Sequence, residues 1–194
     1  MGYYFSLILS IQNYCFKKNY LVPVIGPSES GKTLIINKLR SDMGLPILPR
    51  IYYSSENSLK YKRLKLKEID LFLKGDRIMS LWKYYIPGIY GIILVLDSCN
   101  EEYNQEYLKE SSELFWEYFA KSDKKFPVLI FANGQDIEGA LSLDDISSIL
   151  NLKNLSDRPW KIFGIHNSNL EEIYKGLDWL ESLLYYYKFK ITIK

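Results

Sequence analysis

The sequence has few of the residues that build metal centres, redox centres or disulfide frameworks. Among its 194 residues there are two cysteines and one histidine, His166. Cys15 and Cys99 stand far apart along the chain and form no metal-binding or redox motif. We therefore expect a reduced, cytosolic protein.

The chain also has little net charge. Its 25 basic and 23 acidic residues leave a formal charge of +2, which gives no reason to expect nucleic acid as a partner. The apolar stretch near the N-terminus is too short to span a bilayer, and no basic segment precedes it as in a signal peptide. With 47% hydrophobic residues, no repeats and no long linker, the composition predicts one globular domain with a sizeable core.

Apolar segments typical of strands alternate along the chain with segments of helical period. Continuous or alternating apolar runs, as in buried and half-buried strands, occupy residues 19–26, 64–73, 89–98, 126–133 and 158–165. Helical spacing occupies residues 32–40, 100–121 and 168–187. Strands that alternate with helices predict an α/β domain around a mostly parallel sheet.

The segment GPSESGKT matches the phosphate-loop pattern G-x-x-x-x-G-K-[ST] between a predicted strand and a predicted helix. Its glycines let the backbone approach phosphates, and amides at the helix N-terminus point at the anion. We expect Lys32 to contact the β- and γ-phosphates and Thr33 to place its hydroxyl on Mg²⁺. A glycine-rich turn without a ligand is the alternative. The predicted phosphate-binding residues are Gly26, Ser28, Glu29, Ser30, Gly31, Lys32, Thr33 and Leu34.

The segment FANGQD follows an apolar strand, at the sheet edge where open α/β sheets bind ligands. Asp136 can accept two hydrogen bonds from guanine, one from N1–H and one from the exocyclic amine. Adenine offers neither donor there, so its binding would leave the carboxylate unpaired. Asn133 is placed to brace the phosphate loop and to contact the base edge. Taken alone, the pair is more typical of an ordinary turn, but together with the phosphate loop it favours guanine binding.

These motifs, in this order, resemble those of the ADP-ribosylation-factor-like (Arf-like) small GTPases over nearly the whole chain. The resemblance rests on the phosphate loop with its helix, the guanine loop, and the segments LWKYY, GIILVLDS, RPWKIFGI and GLDWL. It implies the small-GTPase version of the P-loop NTPase fold, a six-stranded mostly parallel sheet flanked by five helices. It also implies GTP and GDP as ligands, effector or coat proteins as partners, and no nucleic acid.

The resemblance assigns further residues to the site and to the surface. His166 and Asn167 align with the loop that contacts the guanine oxygen through a backbone amide, whereas a merely structural histidine is the alternative. The implied guanine-binding residues are Asn133, Gln135, Asp136, His166 and Asn167. Trp82 and Tyr85 match positions that face effectors, although core packing is equally open.

Both switch motifs of the family have changed in this chain. At the second switch Leu71 replaces the Asp that supports Mg²⁺, and Lys74 replaces a Gly. A one-residue slip restores Asp70 but neither the Gly nor the Gln. Gly75 replaces the Gln that orients the attacking water, so we expect slow or absent GTP hydrolysis and no catalytic residue.

The first switch and the base cover have changed as well. Arg50 stands where the family has a Thr that reaches Mg²⁺. An Arg cannot ligate a metal but can contact phosphate oxygens, so the sequence allows Mg²⁺ and predicts that it is weakly held. A solvent-exposed Arg is the alternative. Gly134 replaces a Lys whose stem covers the base, which leaves Asp136 as the discriminating group.

Residues 54–70 are expected to form the hairpin between the two switches. In the family this hairpin slides by two residues on nucleotide exchange, and the changed switches leave open whether it does so here. Its basic side chains either face anionic lipid or form a solvated face. They are Lys60, Lys62, Arg63, Lys65 and Lys67.

Residues 1–18 are predicted to be an amphipathic membrane-binding segment, and residues 19–194 the Arf-like GTP-binding domain. MGYYFS fits M-G-x-x-x-[ST], which permits myristoylation of Gly2. Because one acyl chain binds weakly, insertion of apolar residues 5–9 and the pair Lys17–Lys18 would add a second signal. A packed N-terminal helix without lipid is the alternative.

Three functions remain open at this point. The first is an Arf-like GTP-binding protein of membrane trafficking, cytoplasmic and peripheral on endomembranes. The second is a pseudo-GTPase scaffold that does not cycle between GDP and GTP states. The third, an ATP-using P-loop enzyme such as a small kinase, lacks an evident Arg-rich lid and acceptor site.

Overall fold

A computed structural model describes residues 19–47, 58–70, 86–99, 102–166 and 170–192 of the chain. Six strands form one sheet. They are β1 (Tyr20–Gly26), β2 (Ser58–Tyr61), β3 (Leu64–Asp70), β4 (Ile92–Asp97), β5 (Val128–Asn133) and β6 (Trp160–Ile165). The order across the sheet is β2-β3-β1-β4-β5-β6, and only the β2–β3 pair is antiparallel.

Helices connect the parallel strands. They are α1 (Lys32–Asp42), α2 (Glu102–Phe115), α3 (Leu143–Ile149) and α4 (Glu171–Thr192). A π-helical turn, Trp116–Ala120, continues α2, and short 3₁₀ turns cover Ile86–Gly88 and Leu152–Asn154. None of the helices within the described ranges is long and apolar enough to cross a membrane.

The predicted fold is confirmed. Each apolar run of the sequence is a strand, each segment of helical period is a helix, and the expected hairpin is β2–β3. Four α-helices lie in the part of the chain that the structure describes, where the resemblance implied five. The predicted N-terminal segment, residues 1–18, lies outside the described residues.

Pro23 lies inside the central strand β1, and from the sequence alone its missing N–H predicts a bulge or distortion. That expectation is wrong on the β3 side, because β1 and β3 stay in register along all of Tyr20–Gly26. The peptide groups of alternate residues face alternate neighbours, and Leu21 accepts a hydrogen bond from Tyr90 on the β4 side. Pro23 faces that side too, and pairing with β4 begins only at Val24. The strand therefore accommodates Pro23 because its hydrogen-bond ladder with β4 starts after the proline.

The hydrophobic core has two parts, one on each face of the sheet. On one face Ile36 of α1 and Leu177 of α4 pack with inward residues of the central strands. On the other face Phe115 of α2 and Ile146 of α3 pack in the second cluster. The central strands are buried on both sides, which explains why their sequences are continuous apolar runs. Their polar loops are left at the carboxyl edge of the sheet, where the candidate site lies.

The tip of the β2–β3 hairpin is tied to α4. Asp178 accepts hydrogen bonds from the Tyr61 hydroxyl at 2.7 Å and from Lys62 Nζ at 2.6 Å. Arg63 Nε lies 2.5 Å from Glu181 Oε1, and both side chains are largely buried. Two charges of the predicted basic cluster are thus paired with acidic groups. Any sliding of the hairpin past α4 would break these contacts.

Arg158 is a buried charge that caps the end of the π-helical turn. Its side chain is 0% exposed. One terminal nitrogen donates to the Phe119 carbonyl at 2.9 Å and the other to the Ala120 carbonyl at 2.6 Å. Its Nε donates to Asp157 at 2.7 Å. The guanidinium thus gives a charged donor to two carbonyls at the helix end, of which that of Phe119 also accepts from Ser122.

We expect Arg158→Ala to lower the free energy of unfolding by about 2–4 kcal/mol, because two buried carbonyls lose a charged donor. Urea denaturation followed by circular dichroism measures the change. Lys125→Ala is the control, because Lys125 pairs with the same Asp157 at 2.7 Å but is 44% exposed. It should cost less than about 1 kcal/mol. Equal losses in the two variants would contradict the capping role.

Candidate nucleotide-binding site

The loop between β1 and α1 is a tight turn that only glycine fits at two places. A Cβ on Gly26 would lie 2.1 Å from the Val95 carbonyl oxygen, so this strand end admits no side chain. Gly31 has φ of +101°, and a Cβ there would lie 2.4 Å from Asn133 Nδ2. A larger residue at either glycine of the pattern would therefore clash with its neighbours. Without side chains at these positions, a ligand can approach the loop backbone closely.

Lys32 holds the loop in its closed shape. The residue is 4% exposed, and its ammonium donates to the carbonyl oxygens of Gly26 at 3.1 Å and Pro27 at 2.6 Å. The ammonium therefore lies inside the arch that the loop makes. A positive charge at that point, next to the N-terminus of α1, creates a binding site for an anion.

The other predicted loop residues differ in exposure. Ser28 and Glu29 are exposed at the tip, and Glu29 has a left-handed φ of +66°. Ser30 is 1% exposed, and its buried Oγ has no hydrogen-bond partner within the described ranges. Leu34, one residue into α1 beyond Thr33, is 38% exposed. A buried hydroxyl without a partner in an anion-binding loop is the kind of group that a phosphate oxygen can satisfy.

Thr33, the predicted Mg²⁺ ligand, donates its hydroxyl hydrogen to Glu68 Oε1 of β3 at 2.5 Å. Glu68 was not among the residues predicted from the sequence. Across the described ranges no three His, Cys, Asp or Glu side chains group as metal ligands. A Mg²⁺ ion at this loop would therefore rely on Thr33, phosphate oxygens and water, the ligand set typical of nucleotide-bound magnesium.

Asn133 joins the guanine loop to the phosphate loop. It ends β5, and its Nδ2 donates to the Ser30 carbonyl at 3.2 Å. The predicted brace between the two loops is therefore present. The neighbouring Gln135 uses its side-chain amide within the protein, donating to the Leu141 carbonyl at 2.9 Å. Its backbone N–H donates to the Ile165 carbonyl at 3.2 Å, so the loop is also fastened to β6.

Asp136 is exposed beside the loop, as a base-reading carboxylate needs to be. Lys38 of α1 is its electrostatic neighbour. Burial lowers the pKa of Lys38, and the charge of Asp136 partly offsets that shift by raising the pKa. Gly134 between the two polar residues has φ of +84°, a backbone shape that favours glycine over the family's lysine.

The remaining predicted residues fall partly outside the described residues. His166 follows β6 directly and is half-buried. Asn167, Trp82, Tyr85 and Gly2 lie outside the described residues, as do the changed switch positions Arg50, Leu71, Lys74 and Gly75. Their roles remain predictions.

The sheet order, the closed loop with its buried lysine and the braced Asn-x-x-Asp loop together define a P-loop domain of the small GTP-binding protein class. Residues 5–184 match the ADP-ribosylation factor family. The chain is also 32% identical over 167 residues to "ADP-ribosylation factor-like protein 6" of Danio rerio, covering 85% of this chain and 88% of that protein. The chain belongs to the ADP-ribosylation factor family, whose members bind guanine nucleotides and effector proteins.

Proposed function

We propose that this chain binds GDP and GTP in the loop between β1 and α1, with Asp136 reading the base. The observation that carries the proposal is the contact between Asn133 and Ser30. It joins the loop that would bind the phosphates to the loop that would bind guanine. Lys32 supplies the charge for the phosphates, and Gly31 lets the backbone approach them. The other proposed phosphate and guanine contacts are those predicted from the sequence.

The proposal includes reversible membrane attachment in trafficking. Residues 1–18, with Gly2 acylated, would bind the cytoplasmic surface of an endomembrane, and residues 19–194 would bind nucleotide. Trp82 and Tyr85 would contact an effector or coat protein. Mass spectrometry of the protein from its own cells, with a mass increase of one myristoyl group on Gly2 as the expected result, tests the first step. An unmodified N-terminus would contradict attachment through a myristoyl group.

Hydrolysis of GTP is expected to be slow or absent, and Mg²⁺ to be held weakly, because the switch residues that serve both have been replaced. The same replacements favour a second candidate, a scaffold that holds one nucleotide, or none, without cycling. In that case the ammonium of Lys32 serves only the loop carbonyls to which it donates. The two candidates differ in the affinities for GDP and GTP.

Calorimetric titration of the purified full-length chain with GDP, GTP and ATP separates these candidates. The titrations are run with MgCl₂ and with chelator, after any co-purified nucleotide has been identified and removed. A clear preference between GDP and GTP supports a switch. Equal or absent binding of the two favours the scaffold, and ATP binding as tight as GTP binding would contradict guanine recognition. If Arg50 contacts phosphate, chelator should weaken binding only slightly.

A further inference from the structure

Glu68 places a carboxylate against the phosphate loop at a position that the switch motifs do not explain. It lies in β3, two residues before the strand ends, and is 35 residues from Thr33 in the sequence. Its Oε1 accepts the Thr33 hydroxyl hydrogen at 2.5 Å. The strand carries it to this point because β3 runs parallel to β1 in full register. The contact joins the loop residue expected to bind Mg²⁺ to a partly buried acid.

This hydrogen bond prepares the hydroxyl of Thr33 to bind a cation. A hydroxyl has one hydrogen and two lone pairs, so donating its hydrogen to a carboxylate leaves the lone pairs for a metal ion. An acceptor that carries charge also makes the donor oxygen more electron-rich. The bond therefore fixes the orientation of the hydroxyl and strengthens it as a ligand, as outer partners of metal sites generally do.

The second oxygen of Glu68 points to the same conclusion. Oε2 is buried and has no hydrogen-bond partner among the described residues. A buried carboxylate oxygen without a donor is costly, and a ligand that brings a donor removes the cost. Mg²⁺ dehydrates reluctantly and usually keeps several waters, which are strong donors. The residues present therefore fit a magnesium ion at this loop.

We propose that Glu68 is a positioning residue of a magnesium site at Thr33. The proposal rests on the proposed nucleotide binding. Mg²⁺, when bound, screens the phosphate charge from the protein. Glu68 holds the Thr33 hydroxyl for the ion and accepts hydrogen bonds from its water. Without the ion, the negative charge of Glu68 repels the phosphates of the nucleotide.

Glu68→Gln is therefore expected to weaken the gain in GDP affinity that Mg²⁺ gives without weakening GDP binding in its absence. In chelator the variant should bind GDP as tightly as the wild type or more tightly, because a repulsive charge is gone. Adding MgCl₂ should raise the GDP affinity of both proteins. The MgCl₂ concentration that gives half of this increase, the MgCl₂ midpoint, should be about 10–100-fold higher in the variant than in the wild type. A purely structural defect would weaken binding under both conditions.

The measurement is titration of the full-length chain with a fluorescent GDP derivative, in chelator and at a series of MgCl₂ concentrations. Glu113→Gln is the matched control, because Glu113 is exposed on α2 and the chemical change is the same. Glu68→Asp keeps the charge on a shorter side chain, and its midpoint should lie between those of the wild type and Glu68→Gln. It serves as the test variant if Glu68→Gln does not fold.

Equal MgCl₂ midpoints in the wild type and Glu68→Gln, with GDP bound by both, would overturn this inference and leave nucleotide binding intact. A loss of GDP affinity in chelator as large as the loss in MgCl₂ would also overturn it, since that result shows a structural role. If the wild-type chain bound no GDP under any condition, the proposed function and this inference would both be wrong.

Discussion

Lys32→Met is expected to weaken GTP and GDP binding by about 100-fold or more. The ammonium lies under the loop and would donate charge-assisted hydrogen bonds to phosphate oxygens, each contributing about 1.5–3 kcal/mol. Two such bonds account for a loss of that size, since 1.4 kcal/mol is tenfold in affinity. Methionine keeps the length of the buried stem and removes only the charge and the donors. Calorimetric titration with each nucleotide measures the loss.

Lys109→Met is the control for this experiment. Lys109 is exposed on α2, whose core contacts lie on the opposite face of the sheet from those of α1. It should bind nucleotide as the wild type does. Lys32 also donates to two loop carbonyls, so its replacement should lower the free energy of unfolding of nucleotide-free protein by about 1–3 kcal/mol. Wild-type affinity in Lys32→Met would show that the Lys32 ammonium does not contact the phosphates.

The sheet and its long helices were predictable because the burial of a strand or helix face produces a recognisable pattern of apolar residues in the sequence. A strand covered on both faces is a continuous apolar run, as in Val128–Asn133, and a helix with one buried face repeats every three or four residues. The short helix Leu143–Ile149 was missed because seven residues give too few repeats. Its signal was local, since Ser142 and Asp145 form a reciprocal capping box.

The phosphate loop was predictable because its chemistry is contained in eight consecutive residues. Glu68 was missed for the opposite reason. Glu68 lies on the same strand face as the buried Leu64 and Leu66, where the alternation predicts an apolar residue, and only the parallel pairing with β1 brings it to Thr33. The role of Gln135 was hidden in the same way, because its amide bonds to Leu141 across a turn. Sequence identifies donors and acceptors, whereas their partners depend on the fold.

Recognition of guanine should depend on the charge and acceptor character of a single side chain. In the proposed site, the Asp136 carboxylate would accept hydrogen bonds from N1–H and from the exocyclic amine of guanine. Asparagine at this position offers one acceptor and one donor, and its donor would face the amine of guanine. Xanthine carries an oxygen in place of that amine, which accepts the new donor. A site built to hydrogen-bond one pattern rejects the other strongly, because a buried polar group is left unpaired.

Asp136→Asn is therefore expected to lower GDP affinity by about 100-fold or more and to raise affinity for xanthosine diphosphate, reversing the preference of the wild type. Competition between the two diphosphates for the fluorescent GDP site, or direct titration with each, measures the reversal. Asp144→Asn is the matched control, because Asp144 is exposed on α3 and undergoes the same change. It should keep the preference for guanine. Equal loss of both diphosphates in Asp136→Asn would mean that this residue supports the loop and does not read the base.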